Sequence, residues 1–121
     1  MLLRFTLLCL VILTARAGAQ SPDFVVNGAR LNATMQHMHT FGKNAEGGSD
    51  RVAYSSHNRV ALEYLSGLML ESGLMPRFDV AGNLVGRRAG RIEDLPPIVA
   101  GSHIDTVPNG GHYDGIVGVM S

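Results

Sequence analysis

The positions of apolar and polar residues predict a helix that begins near Asn27. Its apolar stripe has spacings of four and three residues and consists of Leu31, Met35 and Met38. Asn27 precedes this stripe, where its side chain can accept a hydrogen bond from the first helical turn. His37 and His39 lie off the stripe, and we expect both to be solvated. The stripe itself is interpreted as a packing surface.

A second helical pattern follows a glycine-rich loop at residues 42–50. Ser55 or Ser56 can cap its start, and Gly73 can end it, because glycine accepts the left-handed conformation that is common after a helix. The predicted apolar face of this helix consists of Val60, Tyr64, Leu65, Leu68 and Met69. Two amphipathic helices are therefore expected before the first strand.

Three short stretches have the composition of strands. Residues 75–79 and 84–88 flank turn-forming residues at 81–83, which predicts an antiparallel hairpin. Residues 98–100 form a continuous apolar run, typical of a buried strand, after two prolines that disfavour helix. The order helix, helix, strand, strand, strand predicts an α/β fold with a site where the third strand ends.

The candidate chemistry lies directly after this third strand. His103 and Asp105 are two positions apart, so on an extended backbone they share one face while Ile104 points to the other. Turn-forming residues at 109–111 allow the chain to return and bring Asp114 near them. Imidazole and carboxylate are ordinary ligands of zinc, manganese and cobalt, and a ligating histidine usually needs an acceptor on its other ring nitrogen. We predict a metal site with His103 and Asp114 as ligands and Asp105 holding the His103 ring.

The same residues allow an interpretation without a metal. A turn rich in glycine, asparagine and aspartate beside a hydrogen-bonded histidine has the same composition, so the pattern alone leaves both possibilities open. A serine hydrolase is disfavoured, because Ser102, His103 and Asp105 are too close in sequence to align as nucleophile, base and orienting acid.

Residues 1–19 have the pattern of a secretory signal peptide. Arg4 precedes an apolar core that is well short of the roughly 20 residues a membrane anchor needs. Cys9 lies in this leader, so residues 20–121 contain no cysteine and thiolate ligands are excluded. Without Arg4 and Arg16 there are eight basic and ten acidic residues, and this net charge of −2 indicates no nucleic-acid partner. We expect an exported protein, periplasmic or secreted, with no stable membrane anchor.

The segment at residues 101–115, GSHIDTVPNGGHYDG, resembles the metal-binding segment of a known family. This family is the hydantoinase/carbamoylase group of the M20 metallopeptidase-like amidohydrolases, which includes N-carbamoyl-L-amino-acid hydrolases, allantoate amidohydrolases and β-ureidopropionases. Segments at residues 51–55, 71–74 and 79–87 resemble the same family in the same order. The resemblance extends over residues 27–121.

The resemblance implies a chemistry and a role for each site residue. It implies hydrolysis of a carbamoyl or ureido C–N bond in a small substrate with two divalent metal ions, zinc, manganese or cobalt. Asp114 would bridge the ions, His103 would bind one of them, and Asp105 would steady the His103 ring. The general base would be a glutamate further downstream than Ser121, and the peptide bond between Asp114 and Gly115 would be cis. Full-length relatives are expected to be homodimers.

The resemblance also implies an incomplete domain. Residues 1–19 are then the signal peptide, and residues 20–121 are the N-terminal portion of a catalytic domain in which a mixed sheet lies between helices. We expect this portion to be inactive alone, because most ligands and the base are missing. Two alternatives remain: an M20-type peptidase or aminoacylase, which would keep the metals and change the substrate, or an inactive truncated remnant.

Overall fold

The computed structural model describes residues 25–92 and 94–120. The elements in chain order are α1 (Gly28–Thr40), α2 (Ser56–Glu71), β1 (Met75–Phe78), β2 (Leu84–Arg87) and α3 (Ile116–Met120). This content places the chain in the α/β class, as predicted. The predicted signal peptide, with Cys9, lies outside the described residues.

Side-chain caps begin both long helices at the residues that the sequence indicates. The Asn27 side chain accepts a hydrogen bond from the Arg30 amide at 2.9 Å, and the Ser55 hydroxyl accepts one from the Asn58 amide at 3.2 Å. Each bond satisfies an amide that has no partner within the helix. Gly73 follows α2 with φ +76°, the left-handed conformation in which glycine has no side-chain penalty.

One small hydrophobic core joins the helices to the segment that carries the site. Its buried members are Met35, Met38, Ala61, Leu65, Ile104 and Ile116. Ile104 is buried between the exposed His103 and the half-buried Asp105, so the predicted alternation of side chains is confirmed. Val60 was placed on the apolar face of α2 by its spacing, but its side chain is largely exposed, and Ala61 takes the buried position.

The hairpin pairs β1 with β2 in antiparallel register, with Met75 opposite Arg87 and Phe78 opposite Leu84. Asp79 organises its turn. One carboxylate oxygen accepts hydrogen bonds from the amides of Ala81 and Asn83, both at 2.9 Å. The hairpin that the sequence predicts is confirmed, and it packs against α2.

The strand predicted at residues 98–100 is absent from the described structure. The sheet of the described residues has only β1 and β2, and the side chains of Ile98 and Val99 are 100% and 86% exposed. An apolar run encodes extended backbone and a tendency to be buried, but a strand also needs a neighbour to pair with. No helix within the described ranges combines the length and the apolarity required to cross a membrane.

Candidate metal centre

The His103 ring lies between the two carboxylates that the sequence singled out. Its Nδ1 is 3.1 Å from the backbone oxygen of Asp105 and 3.3 Å from Oδ1 of the same residue. On the other side of the ring, Nε2 is 3.9 Å from Oδ1 of Asp114. The structure therefore brings all three predicted site residues together, with Asp105 at one ring nitrogen and Asp114 at the other.

The surroundings of the ring favour one tautomer of His103. A proton on Nδ1 has two acceptors on Asp105, and this tautomer keeps a lone pair on Nε2, the nitrogen on the side of the Asp114 carboxylate. Two electron-rich atoms 3.9 Å apart are too distant for a hydrogen bond. Nitrogen and oxygen ligands at about 2 Å from one tetrahedral ion lie about 3.4 Å apart. Nε2 of His103 and Oδ1 of Asp114 are slightly further apart than this, and they are the candidate ligand pair.

Gly115 allows Asp114 to approach His103 so closely. A Cβ atom at this position would lie 2.7 Å from both Cε1 and Nε2 of His103, and it would also meet the His103 carbonyl oxygen. Gly115 has φ +67°, which is unfavourable for other residues. The peptide bond before it is trans, since no cis bond occurs among the described residues, and the expectation of a cis Asp114–Gly115 bond was wrong.

The loop after α1 binds the backbone between His103 and Asp114 at two points, Thr106 and Gly110. The amide of Thr106 donates to the carbonyl of Arg51 at 2.9 Å, and Ser49 and Gly110 exchange two hydrogen bonds at 3.1 and 2.9 Å. The hydroxyl of Thr106 also donates to the Ser49 carbonyl at 3.0 Å. Residues 49–51 therefore fix the path of the chain between His103 and the turn that leads to Asp114.

A network of exposed and partly buried polar side chains reinforces this attachment. The Asp50 carboxylate accepts hydrogen bonds from the Asn109 amide at 2.7 Å and from the Asn44 side chain at 3.2 Å. The Asn109 side chain donates to Glu46 at 2.8 Å. Their hydrogen bonds hold Asn109, which has φ +55°, in the turn that leads to Asp114.

Arg51 is the residue near the site whose importance was not anticipated. Its side chain is 1% exposed, and its guanidinium donates to the carbonyls of Ile104, Met38 and Phe41. Burial lowers the pKa of Arg51, and the nearby Asp105 carboxylate raises it. A lone arginine between a polar loop and a helix has the sequence pattern of a solvated residue, so periodicity gave no signal for its burial.

His39 and His112 form a second histidine contact close to the site. Their ring centroids are 3.9 Å apart, and Nε2 of His112 is buried without a hydrogen-bond partner among the described residues. Burial is the main cause that lowers the pKa of His39, followed by the neighbouring His112, Lys43 and Arg51. His39, which the sequence predicts to be solvated, is only partly exposed, because the turn carrying His112 packs against it.

The candidate ligands remain accessible to solvent. The side chains of His103, Asp105 and Asp114 are 52%, 43% and 72% exposed. His103 and Asp105 line an open cleft of about 1660 Å³ between the hairpin, α2 and the extended segment that follows residue 95. Within the described ranges, no group of three or more histidine, cysteine or acidic side chains is arranged to hold an ion. The candidate ligands in the described part of the chain are therefore one histidine, His103, and one carboxylate, Asp114.

Comparisons with known proteins lead to the same family that the segment at residues 101–115 resembles. No protein-family model matches the chain. N-carbamoyl-L-amino-acid amidohydrolase from Pseudomonas sp. (strain NS671) is 38% identical over 96 residues, which are 79% of this chain and 23% of that enzyme. Allantoate amidohydrolase from Escherichia coli (strain K12) is 37% identical over 91 residues, 75% of this chain and 22% of that enzyme.

The fold agrees with the sequence comparisons. A hydantoinase/carbamoylase family amidase from Burkholderia multivorans superposes with a TM-score of 0.77 at 36% identity, over 82% of this chain and 24% of that one. The chain spans about a quarter of the length of the relatives that it matches. Sequence identity and backbone arrangement confirm the resemblance seen in the segment from Gly101 to Gly115. The chain belongs to the hydantoinase/carbamoylase family of amidohydrolases.

Proposed function

We propose that this chain is part of a metal-dependent hydrolase that cleaves the carbamoyl or ureido C–N bond of a small acid. The substrate class is that of its relatives, which are named for N-carbamoyl-L-amino acids and allantoate. The observation that carries the proposal is the His103 ring, held by Asp105 at Nδ1 and facing Asp114 with Nε2. We further propose two divalent ions, zinc, manganese or cobalt, as in the M20-type amidohydrolases that the site segment resembles.

Each of the three residues has a defined task in this proposal. Asp105 accepts a hydrogen bond from Nδ1–H and so keeps the lone pair of His103 on Nε2. His103 and Asp114 present one nitrogen and one carboxylate to the same space. Bound divalent ions would polarise the substrate carbonyl and lower the pKa of a bound water. The half-exposed side chains leave room for substrate and solvent at these ligands.

Metal binding tests the proposal on the chain itself. Titration calorimetry with Mn²⁺, Zn²⁺ and Co²⁺ is expected to show binding that weakens at least about tenfold in His103→Ala and Asp114→Asn. His57→Ala is the matched control, because His57 lies exposed in the first turn of α2. The proposal fails when the unaltered chain binds none of the three metals, or when His103→Ala binds them equally well.

Substrate assays distinguish the proposal from its alternatives. N-carbamoyl-L-amino acids and allantoate are assayed beside N-acetyl amino acids and dipeptides, both with the 121-residue chain and with any longer product that its gene encodes. Preference for the carbamoyl and ureido compounds supports the proposal, whereas preference for dipeptides or N-acetyl amino acids indicates a peptidase or aminoacylase. We expect no turnover by the 121-residue chain alone, since its described residues offer two candidate ligands, His103 and Asp114, where a site of two ions needs more.

We also propose that the protein is exported. The support is the charged start and short apolar core at residues 1–19. Mass spectrometry of the protein recovered from its native host is expected to find a mature N-terminus at Gln20. Recovery of peptides that begin at Met1 from the mature protein would contradict export by cleavage.

A further inference from the structure

Arg51 has an unusual position for a charged residue. It is 1% exposed, and its hydrogen bonds go to backbone carbonyls and a hydroxyl: Ile104 at 2.6 Å, Met38 at 2.9 Å, Phe41 at 2.8 Å and the Ser49 hydroxyl at 3.4 Å. Burying a guanidinium is unfavourable unless its donors are paired. Three backbone carbonyls and one hydroxyl therefore accept the hydrogen bonds that allow this guanidinium to be buried.

The shortest of these bonds leads directly to the site. The carbonyl of Ile104 lies between the α-carbons of Ile104 and Asp105, so the bond from Nε of Arg51 fixes the peptide unit that joins them. The carbonyl of Arg51 accepts from the amide of Thr106 at 2.9 Å. Arg51 thus holds the backbone immediately before and immediately after Asp105, with one bond from its side chain and one to its backbone.

The orientation of His103 depends on this same backbone. Nδ1 of His103 is held by the carbonyl oxygen as well as the carboxylate of Asp105, so the direction of Asp105 sets the direction of the ring. A rotation of the Asp105 peptide unit would turn Nε2 away from Asp114, which lies only 3.9 Å from it. Arg51 therefore acts on the candidate ligand His103 indirectly. It fixes the Ile104–Asp105 peptide unit, and Asp105 orients the His103 ring.

We propose that Arg51 is a positioning residue for the candidate metal centre, setting the direction of His103 through the Ile104–Asp105 peptide unit. This proposal rests on the proposed function of the site. Arg51 also binds the carbonyls of Met38 and Phe41 where α1 ends, a contact that stabilises a helix end in any protein. A purely stabilising Arg51 would affect unfolding, whereas a positioning Arg51 also controls the metal affinity of the folded protein.

Arg51→Lys separates these two roles. Lysine keeps the positive charge, but its single nitrogen cannot reproduce the planar set of donors that reaches Ile104 and the end of α1 together. Arg59→Lys is the matched control, because the Arg59 side chain is 76% exposed on α2. Circular dichroism identifies a temperature at which each variant is folded, and all binding measurements are made there.

Two measurements are made on each full chain. The first is the Mn²⁺ dissociation constant, expected to rise about 10- to 100-fold in Arg51→Lys and to stay unchanged in Arg59→Lys. The second is the nuclear Overhauser contact between the His103 ring and the Gly115 α-protons in the metal-free protein. We expect this contact in the unaltered chain and in Arg59→Lys, and its loss in Arg51→Lys.

The outcomes separate the two proposals. A folded Arg51→Lys that keeps both the unaltered Mn²⁺ affinity and the contact between His103 and Gly115 overturns the positioning role. An unaltered chain that binds none of Mn²⁺, Zn²⁺ and Co²⁺ contradicts the proposed function, and the contact between His103 and Gly115 still decides whether Arg51 positions the His103 ring. If Arg51→Lys does not fold, a second variant keeps Arg51 and replaces the Ile104–Asp105 amide with an ester. The ester carbonyl is a weaker acceptor for Arg51, so we expect the same losses of Mn²⁺ affinity and of the contact between His103 and Gly115. If neither is lost, the positioning role is overturned.

Discussion

Gly115 sets the distance between the two candidate ligands. Any side chain at this position would enter the space of the His103 ring, and its backbone conformation favours glycine. The neighbouring Gly111 has open space where a Cβ would be added, and its φ is not positive. An added side chain is therefore excluded at Gly115 but can be accommodated at Gly111.

Gly115→Ala is expected to separate Asp114 from His103. The added methyl group must displace the ring or the backbone, and the positive φ adds about 1 kcal/mol or more of strain to the folded state. We predict a metal affinity at least about tenfold weaker, measured by titration calorimetry. Gly111→Ala should bind as the unaltered chain does, and equal affinity in both variants would contradict this role of Gly115.

Single residues of the site were predictable only where a local rule applies. The spacing of His103 and Asp105 gives their shared face, since extended backbone alternates its side chains. The bond from Arg51 to Ile104 and the contact of His39 with His112 join residues more than 50 positions apart. No local pattern encodes such a contact, so these residues were recognised only in the folded structure.

At the scale of elements, the β1–β2 hairpin depends on one ionised carboxylate. Hydrogen bonds from the Asn83 side chain and backbone lower the pKa of Asp79, burial opposes them, and the Ala81 amide and the positive charge of Arg77 lower it further. A group whose pKa is lowered by folding stabilises the folded state when it is ionised. That contribution is lost as the pH falls through the lowered pKa.

Asp79→Ala should therefore destabilise the protein at neutral pH and have a smaller effect in acid. The difference in unfolding free energy between the two proteins is expected to shrink once the pH falls below the ordinary aspartate pKa. Urea unfolding followed by circular dichroism from pH 7 to strongly acidic pH measures it. Asp94→Ala, at an exposed position, is the control. A difference that does not change with pH would rule out the carboxylate as its source.

Elements were predictable where their own residues supply the signal. Asn27, Ser55 and Gly73 carry the caps and the stop, and each acts within its own helix. The hairpin likewise pairs neighbouring strands through a short turn. The apolar run at residues 98–100 indicates a strand equally well, but pairing depends on a neighbour that this run does not specify.

At the scale of the molecule, the extended segment before His103 presents apolar side chains to solvent. Ile98 and Val99 are 100% and 86% exposed, and both line the large cleft. Contiguous exposed apolar side chains promote association. The 121-residue chain is therefore expected to bind hydrophobic dyes and to associate at high concentration.

A double variant, Ile98→Lys with Val99→Lys, tests this expectation. Dye fluorescence and association, measured by light scattering, should both fall, while the unfolding free energy changes by no more than about 0.5 kcal/mol because neither side chain contributes to the core. Val25→Lys with Val26→Lys alters two other exposed valines and should leave the association unchanged. A double variant of Ile98 and Val99 that associates as before would show that other surfaces are responsible.

The attachment of residues 49–51 to residues 104–110 has a consequence for the time at which the site forms. The helices and the hairpin need only nearby residues, whereas the bond from Arg51 to Ile104 closes a loop of 53 positions. At roughly 5–20 residues per second, a ribosome takes roughly three to ten seconds to add that length of chain. Until then the Arg51 guanidinium has no Ile104 carbonyl to bind, and the charge that later lies in the core stays in water. The attachment that holds His103 therefore forms after α1, α2 and the hairpin have been synthesised.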